Sequence, residues 1–116
     1  MKLPHYLPAF LLIISTAVCS APVRTEIDAL KLATSAIRKF QLTTLKPECG
    51  SASAVERRAH FDVIVRERHS AACGGDPQTS PRLFNVRVRK HDGRLTTTAY
   101  DGVNYLPLDH DLRPGQ

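Results

Sequence analysis

The sequence predicts an α+β domain, with one amphipathic helix packed on an antiparallel sheet of about four strands. Three observations predict it. Apolar residues recur at helical spacing in Ile27, Leu30, Ala33, Ile37 and Phe40. Two runs of strict alternation follow, Phe61-Val63-Val65 and Phe84-Val86-Val88. An Asp92-Gly93 pair then separates the second run from another segment rich in β-formers. One helix followed by hairpin-connected strands can bury its stripe against one face of the sheet.

The opening MKLPHYLPAFLLIISTAVCSAP carries Lys2, an apolar run from Ala9 to Val18, and small residues after it. That is the layout of a secretory signal peptide. The run is about ten residues, and a membrane span needs about 20. Residues 1–20 therefore read as the leader, and residues 21–116 as a single small domain. Cleavage is expected near Ser20 or Ala21. Thr16-Ala17-Val18-Cys19 half resembles a lipobox, which offers Cys19 as an alternative lipidation site. Only that modification would attach the protein to a membrane.

Within the domain, Thr25 reads as an N-cap, with Asp28 in the capping-box position and Arg38 and Lys39 in the last turn. Pro47 and Gly50 break the chain after the helix. Residues 50–69 read as two strands with a turn near Arg57-Arg58-Ala59. A loop from Ser70 to Pro81 leads to the strand RLFNVRVRK. The hairpin turn at Asp92-Gly93 returns into RLTTTAY. Residues 103–106 can add a short edge strand, and the end is expected to fray.

The net charge is +5, of which the leader contributes only Lys2. This mild excess favours acidic partners or an anionic surface. No block of like charges is present, which argues against a nucleic-acid tail. If Phe61, Val63, Val65, Phe84, Val86 and Val88 face the helix, alternation puts Arg66, Arg68, Arg87 and Arg89 on the far face. Four arginines on one face can form a platform for carboxylate or phosphate. They can equally be an ordinary solvated face.

The chain has three cysteines. With Cys19 removed or lipidated, Cys49 and Cys73 form an even pair in an oxidising compartment, where a disulfide is expected. It would close a loop of about two dozen residues and contribute roughly 3 kcal/mol.

The loop HSAACGGDPQTSPRLF admits two readings. In the catalytic one, Cys73 is a nucleophile, His69 its base and Asp76 the residue that orients the base. All three lie within one short stretch, however, whereas Cys–His enzymes bring these partners from distant parts of the fold. In the structural one, Cys73 reaches back to Cys49, and Gly74 and Gly75 take conformations that a Cβ resists. Asp76-Pro77 then opens a turn. The structural reading asks less of the sequence. His60, His69, His91 and His110 lack the paired spacing of a zinc site, and Asp109-His110-Asp111 reads as a solvated end. No metal or cofactor is expected.

The pattern His69-x-x-x-Cys73-Gly74-Gly75-Asp76-Pro77-x-Thr79-x-Pro81 resembles small secreted proteobacterial proteins of uncharacterised function. The likeness extends over roughly residues 25–100. The helix followed by a sheet also resembles PepSY-type domains, although those do not carry the Cys-containing loop. The resemblance implies a periplasmic or secreted module linked to protease inhibition or to cell-envelope binding.

The expected function is therefore a non-catalytic binding module of unknown partner. Arg66, Arg68, Arg87, Arg89, His69 and Asp76 are its candidate binding residues. The partner would be a protein or an anionic envelope lipid or polysaccharide, not nucleic acid. A small Cys–His hydrolase using Cys73 and His69 is the rival, and an outer-membrane lipoprotein is the alternative address.

Overall fold

A computed structural model describes residues 21–108. The expected signal peptide, the candidate lipidation site Cys19 and the Asp109-His110-Asp111 tail lie outside the described residues. The helix α1 spans Glu26–Lys39, and a short 3-10 turn spans Pro47–Cys49. The strands are β1 (Gly50–Glu56), β2 (His60–Glu67), β3 (Arg82–Arg89), β4 (Leu95–Thr97) and β5 (Leu106–Pro107). They form one antiparallel sheet in chain order. The class is α+β as expected, but the sheet has five strands rather than four. The fifth forms because Thr96 and Thr97 of β4 find partners in Pro107 and Leu106.

The Thr25 hydroxyl caps the helix, accepting the Asp28 N–H at 3.1 Å. At the other end Gln41 takes a left-handed φ of 51°. The Leu42 N–H then donates to the Ile37 carbonyl and the Gln41 N–H to the Arg38 carbonyl. This is a Schellman closure with Gln in the place where Gly is commonest.

The core is the layer Phe61, Val63, Val65, Phe84, Val86 and Val88, all buried as the alternation predicts. The helix meets it through part of the expected stripe, Leu30, Ala33 and Ile37, rotated toward its alanines so that Ile27 is left out. Ala29, Ala33 and Ala36 are buried, Leu30 and Ile37 pack at the margin, and Ile27 is 65% exposed. A sheet face already filled with Val and Phe leaves room for methyl groups beneath the helix axis. The longer apolar side chains are displaced to its flank. Val23 is buried as well, with its N–H bonded to the Lys90 carbonyl, so the chain before the helix closes one end of the core.

The return strand β4 stops at Thr97, earlier than its composition suggests. Thr97 Oγ1 donates to the Asn85 carbonyl, and Thr98 Oγ1 accepts the Asn85 N–H. The Thr98 N–H still donates to the Asn85 carbonyl at 3.1 Å, but the Thr98 hydroxyl takes the place of its carbonyl as acceptor of the Asn85 N–H, and the Gly102 N–H closes a turn on that carbonyl.

Candidate functional site

The loop between β2 and β3 is stapled. Cys49 and Cys73 form a disulfide with their Cα atoms 5.6 Å apart. Cys49 closes the 3-10 turn just before β1, so the bridge ties the loop to the start of the neighbouring strand. Around Cys73 the chain makes a tight bend. The Gly74 N–H donates to the Ser70 carbonyl at 2.7 Å, and the Cys73 N–H donates to Ser70 Oγ at 3.1 Å. Asp76 turns the chain as expected, its carboxylate accepting the Gln78 N–H at 2.9 Å.

His69 latches the same loop from inside. Its Nδ1 lies 2.8 Å from the Asp76 carbonyl oxygen and 3.0 Å from Thr79 Oγ1. Its Nε2 lies 2.6 Å from a Glu67 carboxylate oxygen. A carbonyl and a carboxylate both accept, so the arrangement is best satisfied when both ring nitrogens carry protons. The Glu67 carboxylate first, and the Asp76 carbonyl second, accordingly raise the His69 pKa above its usual 6.5. The ring also packs against the backbone of Gly75, where a Cβ would come within 2.6 Å of it. Gly75 has φ of +80°, so both its conformation and its closeness to the ring call for glycine.

This geometry does not suit the Cys–His arrangement. The Cys73 sulfur is bonded to Cys49, and both ring nitrogens of His69 are engaged by Glu67 and the Asp76 carbonyl rather than facing the sulfur. Asp76 contacts the histidine through its backbone carbonyl, whereas its carboxylate serves the turn.

The four arginines of the far face separate into two groups. Register places Arg87 opposite Asp62. Asp62 is largely buried and faces two guanidinium groups, Arg87 at 3.3 Å and Arg57 at 3.4 Å, with the His60 ring at 3.5 Å. The Arg87 guanidinium also stacks 3.8 Å from the ring centroid of Tyr105. Arg89 is paired with Asp92 in the hairpin turn. That pairing, helped by the Arg94 N–H, holds the Asp92 carboxyl well below the usual carboxylate range. Arg87 and Arg89 are thus matched by carboxylates.

Arg66 and Arg68 are not. Arg66 donates to the Ser80 carbonyl at 3.1 Å, and its register partner across the sheet is another arginine, Arg82. A bulge between Val65 and Arg66 sets this pairing. Both side chains are exposed, and neither is ion-paired among the described residues. Arg68 lies just past β2, its N–H bonded to the Cys49 carbonyl at 2.7 Å. Sequence reasoning missed Arg82 because it follows Pro81 at the strand entry, before the visible alternation begins. Only the bulge brings it opposite Arg66.

Among the described residues no three His, Cys, Asp or Glu side chains gather as a metal site, and no helix is long and apolar enough to cross a membrane. Comparison with known proteins gives no match, whether to family models, curated proteins or solved structures.

Proposed function

We propose that this protein is a non-catalytic binding module of an oxidising compartment, periplasmic or secreted. It takes an acidic segment of a partner protein at the end of the sheet beside the stapled loop. The observation that carries the reading is the pairing of Arg66 with Arg82. Like charges directly opposite one another weaken strand pairing. A carboxylate seated between the two guanidinium forks would turn that repulsion into charge-assisted hydrogen bonds. Arg68 extends the cationic surface toward the staple. The disulfide supports the non-catalytic half of the reading, because it occupies the sulfur that a thiol hydrolase would need.

The test is equilibrium binding of a fluorescent polyglutamate peptide at low and high salt. Binding is expected, weakening with salt because exposed charges are screened within about 10 Å at 0.1 M. The double variant Arg66→Ala/Arg82→Ala should lose about tenfold or more in affinity, as expected when charged hydrogen bonds worth about 1.5–3 kcal/mol are removed. Lys31→Ala, an exposed change on the helix, should leave affinity unchanged. Absence of binding, or full binding by the double variant, would refute the site. Binding to anionic vesicles but not to the peptide would move the partner from protein to membrane. Thiol-dependent hydrolysis of an activated ester, abolished in Cys73→Ser, would overturn the non-catalytic half.

A further inference from the structure

The two edges of the sheet are unlike. One ends in β5, two residues long and carrying Pro107, which is a protected edge. The other is β1, seven residues long, with a continuous register against β2 from Gly50 to Glu56. Between Ser51 and Val55 it carries neither a proline nor a charge nor a bulge, the usual devices that stop an edge from pairing.

The ladder shows which groups are free. The Arg68 N–H bonds to the Cys49 carbonyl at one end, and the Arg57 N–H to the His60 carbonyl at the other. Antiparallel pairs alternate between bonded and non-bonded, so Ser51, Ser53 and Val55 direct their N–H and C=O to β2. Gly50, Ala52, Ala54 and Glu56 direct theirs outward. The Gly50 N–H is taken by the Pro47 carbonyl of the 3-10 turn, and no backbone partner for the other outward groups is found among the described residues.

The helix side of this edge is shaped and charged. A groove of about 360 Å³ lies between the end of α1 and the start of β1. Ile37, Leu45, Pro47 and Ala52 supply its apolar lining, with Arg38 and Lys46 beside them. Neither cation is ion-paired among the described residues. At the far end of the same edge stands Glu56, on the same side as Ala52 and Ala54, half exposed and held by Lys90 at 2.7 Å. Ile27, exposed on the helix, lies seven and eleven residues before Thr34 and Arg38 of the groove, on the same flank.

We propose that β1 pairs with β1 of a second copy of this chain, antiparallel about a two-fold axis at Ser53, to give a continuous ten-stranded sheet. In that register Ala52 faces the second copy's Ala54 and all their outward groups pair, while the Gly50 carbonyl takes the N–H of the second copy's Glu56. The Glu56 carboxylate of each copy, bonded to its own Lys90 through Oε2, turns its other oxygen toward the groove of the second copy, beside Arg38 and Lys46. A cationic groove at one end of the edge and a half-exposed carboxylate at the other are self-complementary under two-fold rotation. This complementarity selects a second copy over a foreign strand. The two helix flanks, each with its Ile27, face one another across the axis.

The test is sedimentation equilibrium of the purified protein over a range of micromolar concentrations. The weight-average mass should rise from one copy to two and no further. Ala52→Pro removes only an outward N–H, which an edge strand tolerates, and should leave a monomer with an unchanged circular dichroism spectrum. Lys46→Glu and Glu56→Lys should each weaken dimerisation about tenfold, and the double exchange should restore most of it, since it returns opposite charges to the groove. The charge exchange decides the matter even if the proline variant unfolds. A parent that stays monomeric, grows beyond a dimer, or dimerises equally well as Lys46→Glu would overturn the proposal.

Discussion

His69 is the residue whose chemistry most directly governs the loop. Its two nitrogens face Glu67 and the Asp76 carbonyl, and the folded chain binds its proton more tightly than the unfolded chain does. A histidine pKa raised by folding adds stability that is complete below its unfolded value of 6.5 and is lost as pH rises through the higher folded value. The loop should therefore be held more firmly in mild acid than in mild base. Urea unfolding at about pH 5.5 and about pH 8.5 should show this, and the difference should shrink in His69→Gln. Because the chain holds other histidines, the comparison that counts is variant against parent. An identical pH dependence in the two would mean that His69 is not the protonated latch. Gly75→Ala, whose methyl would intrude on the ring, should displace the latch and mimic His69→Gln.

At the scale of elements, the helix terminus makes a sharper prediction. Gln41 holds φ at 51°, a conformation that costs a residue with a Cβ about 1–2 kcal/mol. Gln41→Gly should stabilise the protein by about 0.5–1 kcal/mol, because glycine gives part of that gain back as unfolded-chain entropy. A higher thermal midpoint checks it, and a lower one would mean that the Gln side chain contributes more than its backbone loses. Elements of this kind set the limit of what was legible in the sequence. The alternation of Phe61-Val63-Val65 and Phe84-Val86-Val88 announced two central strands because period two has no other explanation there. Hydrophobicity alone found Leu30, Ala33 and Ile37 but misjudged the centre of the helix face, since volume decided for Ala29 and Ala36 over Ile27. The staple could be read from the cysteine count. The pairing of the arginines could not, because alternation names a face but not a register. Only register reveals that Asp62 stands opposite Arg87 while Arg66 stands opposite Arg82.

For the whole molecule, the balance lies between one thin core and one covalent tie. A single helix over a small sheet buries a modest apolar layer, and a domain of this size typically holds about 5–15 kcal/mol in total. The Cys49–Cys73 bridge spans 24 residues, and the chain-entropy model assigns such a loop about 3 kcal/mol. The double variant Cys49→Ser/Cys73→Ser should lose that amount in urea unfolding yet keep its sheet, because the core strands pair independently of the loop between them. Its unfolding slope should also rise, since an untied denatured chain exposes more surface. The bridge and the His69 latch restrain the same segment, so their effects should not simply add. Without the bridge, the pH dependence carried by His69 should fall, as the loop would open before the core melts. A loss below about 1 kcal/mol, with the pH dependence intact, would show that the histidine and its two acceptors suffice to close the loop and that the disulfide is secondary.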